Sequence, residues 1–380
     1  MIMLAAAGLI IESIVKLDAV PLGLQPDQVL AAQIALPAAS YSTVEKRATF
    51  YSKVLMSVRA LPGVENVALC SALGPYNDGP SSPLTIKGKA PVENLEAINR
   101  VEISDDYFSV LGMRWLRGRR FDSHDRAGSQ PVAIVNEQFV RMYFPQQDPL
   151  GTQIKLGNPG DEMPWLTVVG VVGSEERYTV YQEMGYVEPA LVYLPIDQTS
   201  GTSMGLVVRA LRNPLALSPL LQREMSALDW NVPVFEIKTM SQRYSEFLAY
   251  PRFRAALMGV LAWLTLLLAA IGFYGVLAHM VVQRTKEIGV RIALGAQRRE
   301  VLSMVVLGGT KLAIMGVSCG AVAGLLLTRA MAALLYGVGV NDPTIFCCAA
   351  ALLICVALLA TYIPARRAAK VDPMVALRHE

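Results

Sequence analysis

Arg284–Ala296 reads RTKEIGVRIALGA and continues into Gln297-Arg298-Arg299-Glu300-Val301. Long apolar runs flank it on both sides, Ala255–Val282 and Leu302–Leu327. Each run is long enough to cross a bilayer as a helix, which makes the stretch the bend between two spans. Its charges are Arg284, Lys286, Arg291, Arg298 and Arg299 against Glu287 and Glu300. A basic excess in a short loop beside a span marks the cytoplasmic side. Ile288 and Ile292 lie four apart on one helical face with Leu294 close by, while Gly289, Ala293, Gly295 and Ala296 keep the surface low. Gly295 is placed to stop one helix before another begins near Gln297. The expected product is a compact knob with an apolar tip and a basic rim, suited to a groove on another protein. The plainer alternative is a positive-inside linker whose Ile and Leu side chains rest at the lipid interface.

Composition agrees with a chain of two characters. Of 380 residues, 53% are hydrophobic and 17% charged, with mean hydropathy +0.39. That is too apolar for an average soluble protein and too charged for a chain made only of spans. A soluble region joined to a spanning bundle resolves the conflict. The net charge of +3 is too small to argue for nucleic acid, and the basic residues cluster beside the apolar runs. Cys319, Cys347, Cys348 and Cys355 fall inside those runs, leaving Cys70 alone in the soluble part, where it has no disulfide partner.

Enzyme chemistry finds little support. The phosphate-wrapping pattern G-x-x-x-x-G-K-[ST] does not occur; only Lys238 precedes a Ser or Thr, and Ile237 stands where the motif needs Gly. No ATP hydrolysis, metal or other cofactor is expected of this chain. His124, His279 and His379 lack metal-ligand spacing. Gly201-Thr202-Ser203-Met204-Gly205 fits G-x-S-x-G, but that pattern exposes a nucleophile only between a strand and a helix. Here a strand is expected to follow the Ser, so a turn explains it better.

Taken in order, Met1–Ile11 is apolar but Glu12 and Lys16 soon follow. Eleven helical residues span about 16 Å, roughly half a hydrocarbon core. Residues 1–17 are therefore expected to be a partial transmembrane helix, the trailing half of a span whose beginning is missing. Residues 18–250 read as a soluble α+β region. Strands are expected at Val29–Leu36, Val64–Leu69, Leu84–Lys87, Ala97–Ile103, Val132–Val135, Gln153–Leu156, Leu166–Val172, Ala190–Leu194, Gly205–Arg209 and Val234–Lys238. Helices are expected at Val44–Leu61, stopped by Pro62-Gly63, and at Ser218–Leu228; a short one is capped by Asp105 and ends at Gly112, and another begins at Asn136. The early and late strand-helix-strand pieces can pair as a split β-α-β unit with the middle inserted.

Residues 251–380 are expected to hold three transmembrane helices, at about 255–282, 302–327 and 345–363, with Arg366, Arg367 and Lys370 again marking the cytoplasmic side. Lys311 can snorkel towards that side. Gly316, Gly320 and Gly324 form a small-x-x-x-small ladder, and Gly272 and Gly275 offer the same on the first span. In lipid, close backbone approach is a main source of helix packing, within one chain or between two. The spans carry almost no polar lining, which argues against a hydrophilic tunnel.

The order R-T-K-E-I-G-V-R-I-A-L-G-A-Q-R-R-E-V resembles the signature of the FtsX-like permease family, MacB-type branch. The resemblance includes Gly272-Phe273-Tyr274-Gly275-Val276, Asn341-Asp342-Pro343, Pro364–Ala369 and Asp372–Arg378. In the soluble region, Asn136–Phe139, Phe144-Pro145 and Asp148–Gly151 are similar to the same family, whereas Ser174–Glu188 departs from it. The resemblance implies an extracytoplasmic core in which a porter-like split β-α-β subdomain is interrupted by a mostly-β subdomain, here about Ser104–Thr199, followed by an α-helical transmembrane bundle in the bacterial inner membrane. It also implies that a separate cytoplasmic ABC ATPase, which binds the ATP, grips Arg284, Lys286, Glu287, Ile288, Gly289, Arg291, Ile292, Leu294 and Gly295. Further implied partners are membrane lipid, a second permease unit (a homodimer partner or a fused half) and a periplasmic adaptor. Residues 7–14 resemble the end of the family's first span, and the chain can be the second unit of a duplicated permease. Two functions remain open: export of antibiotics, peptides or lipoproteins, and regulation of a cell-envelope partner without cargo.

Overall fold

The computed structural model describes residues 2–18, 22–74, 80–89, 98–175, 177–178, 186–187, 189–199, 201–283, 298–330 and 343–368. The chain divides into a sheet unit, Val20–Ala249, and a helical unit made of Met1–Ala19 and Tyr250–Glu380. Helix α1 (Ile2–Asp18) belongs to the helical unit. The sheet unit begins β1 (Val29–Ala35), α2 (Val44–Arg59), β2 (Val64–Cys70), β3 (Ser81–Ser82), β4 (Leu84–Ile86), β5 (Ile98–Ile103) and α3 (Tyr107–Leu111). It continues β6 (Trp115–Gly118), β7 (Val132–Asn136), α4 (Glu137–Tyr143), β8 (Gln153–Leu156), β9 (Leu166–Val172), β10 (Arg177–Tyr178) and β11 (Tyr186–Val187). Last come β12 (Leu191–Pro195), β13 (Ser203–Ala210), α5 (Ser218–Leu228) and β14 (Val234–Thr239). Three long helices follow, α6 (Met240–Gln283), α7 (Arg298–Ala330) and α8 (Pro343–Ala368).

One mixed sheet carries the order β14-β1-β13-β2-β5-β12-β7-β9-β8-β4, with β3 beside β5 and β6 beside β9. Its first four strands are antiparallel neighbours. They form the expected split β-α-β pair: β1-α2-β2 and β13-α5-β14 interleave, so that β1 and β13 are central. Alternation along β1 sends Leu30, Ala32 and Ile34 into a core shared with Phe50, Tyr51, Val54 and Val58 of α2 and Leu221 and Met225 of α5. Residues four apart on α2 make that possible, and burying each such large side chain is worth about 1.5–3 kcal/mol. Thr43 starts α2 by accepting a hydrogen bond from the Lys46 amide at 3.3 Å. Gly63, at φ 90°, turns the chain into β2.

The inserted strands build a second core around Val135, Phe139, Ile154, Val168 and Val192, with Leu84, Ile86 and Ile98 as members. The insertion therefore begins before Ser104, because Leu84 and Ile86 of β4 and Ile98 of β5 are buried in this second core. Two local expectations are also corrected. The residue that caps α3 is Asp106, without a side-chain cap bond, and α3 ends at left-handed Gly112 (φ 65°). Trp115–Gly118, which is not among the expected strands, pairs with β9. In the stretch 174–188, two-residue strands β10 and β11 pair with each other.

In the helical unit, α7 and α8 pack along each other and α1 packs on both. The first long helix starts well before the expected span, at Met240.

Candidate functional site

The nine residues assigned to ATPase coupling, Arg284, Lys286, Glu287, Ile288, Gly289, Arg291, Ile292, Leu294 and Gly295, lie outside the described residues. Their flanks are described: α6 ends at Gln283 and α7 begins at Arg298. The stretch is thus tied directly to the ends of two long apolar helices.

Those helices are built for a medium that is not water. Arg252–Gln283 has mean hydropathy 2.3 and Val306–Gly324 has 1.5, and in each the most apolar window is only 6% and 11% buried. A core helix of a soluble protein would be largely covered; here Trp263, Leu268, Ile271, Met315 and Val322 face outward. Among the described residues these are the two helices long and apolar enough to cross a bilayer, with shorter apolar stretches at Ile2–Glu12 and Phe346–Tyr362. The third span expected at 345–363 falls on α8 and is one of the shorter stretches. Three threonine hydroxyls within the helices are satisfied locally. Thr265 donates to the Leu261 carbonyl at 2.8 Å, Thr310 to Val306 at 2.7 Å, and Thr361 to Ala357.

The glycine ladder divides by position. A Cβ on Gly324 would sit 3.1 Å from Phe346 of α8 and 3.9 Å from Ile2 of α1, so this glycine lets three helices meet. A Cβ on Gly316, Gly272 or Gly275 would meet nothing within 4 Å. Gly316 and Gly320 instead line an apolar cleft of about 410 Å³ with Ala313 and Val317 of α7, Phe273 of α6 and Leu353 of α8.

Helix α6 is held in the sheet unit by its first turns. Met240, Tyr244 and Leu248, spaced by four, are buried there. Arg243 donates from Nε to the Gly74 carbonyl at 3.3 Å and pairs with Glu236 at 3.1 Å, while Lys238 pairs with Glu246 at 2.6 Å. Beyond this anchor the same helix becomes the apolar run 252–283.

The G-x-S-x-G pattern does not have the strand-then-helix setting that exposes a nucleophile. Ser203 opens β13, with a strand after it and no helix, and Gly205 is needed because a Cβ there would lie 2.3 Å from Leu73. His124 is exposed beside Asp122 at 2.9 Å, and no group of three or more metal-type ligands occurs among the described residues. Burial raises the Glu102 carboxyl above the usual range against the pull of Arg100 and Arg47. Burial also raises Asp105 and Asp197, with the Asp197 charge adding to the effect on Asp105. The Tyr41 hydroxyl is pushed up to about 12 by burial and by its 2.8 Å hydrogen bond to Asp229.

Sequence reasoning missed the ring cluster of Tyr107, Phe108, Trp115 and Tyr193, with centroids 5.0–6.3 Å apart. It also missed the second task of Asn136. Besides capping α4 through Phe139 N (3.0 Å), this buried amide accepts from Leu191 N (2.9 Å) and donates to Pro189 O (2.7 Å). The signal available was Tyr107-Phe108-Ser109-Val110-Leu111, too apolar for a surface turn.

A mixed α+β unit is followed in the chain, among the described residues, by two helices long and apolar enough to cross a membrane. Residues 6–218 match the MacB-like periplasmic core domain and residues 259–373 the FtsX-like permease C-terminal region. The first match covers more than half of the chain, and the chain belongs to the family of MacB-like periplasmic core domain proteins with an FtsX-like permease region. Similar relatives are macrolide export ATP-binding/permease proteins MacB. That of Haemophilus ducreyi is 25% identical over 297 residues, 73% of this chain and 40% of the relative. That of Rhodospirillum rubrum is 29% identical over 286 residues, 70% and 41%, and that of Escherichia coli K12 is 27% identical over 295 residues, 73% and 43%. The chain thus spans less than half the length of these relatives. Among solved structures, the periplasmic region of MacB from Actinobacillus actinomycetemcomitans aligns at 15% identity and TM-score 0.41, over 60% of this chain and 95% of that one. The extracellular domain of the transporter YknZ from Gram-positive bacteria aligns at 14% and 0.34, over 55% and 100%.

Proposed function

We infer that the chain is a permease subunit of an ATP-driven export complex in the bacterial inner membrane and works by transmitting motion. The observation that carries this is α6, anchored in the sheet unit by Met240, Arg243, Tyr244 and Leu248 and ending at Gln283, one residue before the basic stretch. A cytoplasmic ABC ATPase grips Ile288, Ile292 and Leu294, with Arg284, Lys286 and Arg291 pairing acidic groups on its groove. Glu287 sits among these basic residues, and Gly289 and Gly295 keep the knob low. ATP is bound and hydrolysed by that partner. Closure of the ATPase moves the knob, and the spans carry the displacement to the periplasmic unit. The relatives' designation as macrolide exporters supports export of antibiotics, with peptides and lipoproteins as the other cargo classes. The apolar character of the spans supports cargo handled on the periplasmic side rather than through a hydrophilic pore.

The test is capture of the ATPase that co-purifies with the wild-type chain from membranes. Ile288→Asp places a charge at the centre of the apolar tip and is expected to abolish capture while the chain still inserts. Undiminished capture would refute the docking site.

A further inference from the structure

The sheet unit contains two cores, yet the strands that join them barely touch. β2 and β5 share one residue pair, Cys70 with Ile103, whereas β5 pairs with β12 from Asn99 to Ile103 and β13 pairs continuously with β2 from Gly205–Cys70 to Arg209–Asn66. Two serines extend the joint. Ser104 Oγ accepts from Leu69 N at 3.0 Å and Ser71 Oγ accepts from Glu102 N at 2.8 Å, each beside a reciprocal backbone bond. By itself such a joint is a hinge. A cleft of about 530 Å³ between α2 and the β5–α3 turn, lined by Leu55, Met56, Ser104 and Asp197, leaves room for bending there.

What opposes bending is α3. This short helix is almost completely buried through Tyr107, Phe108, Val110 and Leu111. Its rings lie against Tyr193 and Trp115 of the inserted part, at 5.0 Å and 5.8 Å from Phe108. Its backbone is gripped from the split β-α-β part. Arg209 of β13 donates from Nε to the Val110 carbonyl at 2.7 Å and from Nη2 to the Gln25 carbonyl at 3.2 Å, and Gln25 N returns to the Leu111 carbonyl at 2.7 Å. Arg59, the last residue of α2, ion-pairs with Asp106 at the other end of α3. Both Arg209 bonds are charge-assisted, and the one to Val110 is half-buried; the Arg59 pair is exposed and therefore weak.

Resting on the transmitter function inferred above, we propose that α3 is a keystone that locks the two subdomains into one rigid piece, with Arg209 as the positioning residue. A displacement arriving through α6 then swings the whole periplasmic unit instead of dissipating at the β2–β5 joint.

The test uses the full chain in lipid nanodiscs, with spin labels at Met56 on α2 and Met142 on α4, both exposed. A single narrow distance distribution is expected. Arg209→Ala is expected to broaden it or add a second population, and Arg209→Lys, which keeps the charge but not the fork, to recover it in part. Hydrogen exchange on the same samples reads the joint directly. The Leu69, Glu102 and Ser104 amides should exchange about ten- to a hundredfold faster in Arg209→Ala, the range for losing a bond to a charged group. The Val207 amide, at the centre of the first sheet, should not change, which separates loosening from unfolding. Two distance populations in the wild-type chain, or joint amides unchanged in Arg209→Ala, would overturn the keystone. No ATPase takes part, so this failure leaves the docking site standing, and loss of the docking site leaves the keystone standing.

Discussion

The two units of this chain bury themselves by opposite rules. In the sheet unit, strand alternation divides side chains into two cores and a wet surface, and buried polar groups such as Asn136 and Lys155 are hydrogen-bonded. In the helical unit many large apolar side chains, such as Trp263, Leu268 and Met315, point outward, and Gly324 marks where helices meet. The contrast identifies the solvent of each: water drives large side chains inward, whereas hydrocarbon gives them no such reason and leaves close backbone contact to hold helices together.

The comparison can be broken first at Asn136. Asn136→Ala leaves the Leu191 and Phe139 amides and the Pro189 carbonyl without partners in a dry site and is expected to cost about 3–5 kcal/mol. Thermal unfolding of the periplasmic unit would register it as a large loss of Tm, and an unchanged Tm would mean that the site is wet. Next in size is Leu268→Arg on the outward face of α6. In hydrocarbon it should oppose insertion by about 2.5–3.5 kcal/mol, whereas a helix exposed to water would tolerate it. Membrane integration of a reporter carrying 252–283 measures the difference. A smaller effect is expected from the ladder. Gly324→Leu overpacks the contact with Phe346 and should destabilise the helical unit by about 1–3 kcal/mol, while Gly316→Ala meets no neighbour and should be neutral or better in the same detergent melt.

The smallest effect sharpens the aqueous side. Because burial raises the Glu102 carboxyl, the folded state holds that proton more tightly than the unfolded chain. Its favourable contribution is full below the unfolded value, about 4.3, and is lost as pH rises through the folded value. Glu102→Gln should therefore be slightly more stable than wild type at pH 7. The advantage should vanish in acid, and paired melts at pH 7 and pH 4 check the sign.

Much of the sheet unit was legible because its signals are local. Asn136 as a cap, Pro62-Gly63 as a stop and the apolar alternation of Val132–Val135 each act within a few residues. The edge of the insertion was not legible. β4 and β5 look like any short strands, and only their sharing a core with Ile154 and Val192, far along the chain, assigns them to the second core. β6 was missed for the same reason: Trp-Leu-Arg-Gly has no alternation, and its partner β9 lies some fifty residues on. In the helical unit length and apolarity found the long helices, but which glycines pack within the chain depends on facing residues such as Phe346, which no spacing rule supplies. That α6 begins as early as Met240 was not legible, because the burial of Met240, Tyr244 and Leu248 depends on tertiary contacts that their spacing alone does not show.

The place of β13 has a consequence for biogenesis. It completes the first sheet by lying between β1 and β2, yet it leaves the ribosome only after the whole insertion has been made. At typical elongation rates that delay is on the order of ten seconds. During it, β1 and β2 wait with open edges while the later module can already collapse around its own core. Nascent chains stalled just short of Ser203 should thus be the species most in need of a holdase, and release past Ala210 should end that dependence.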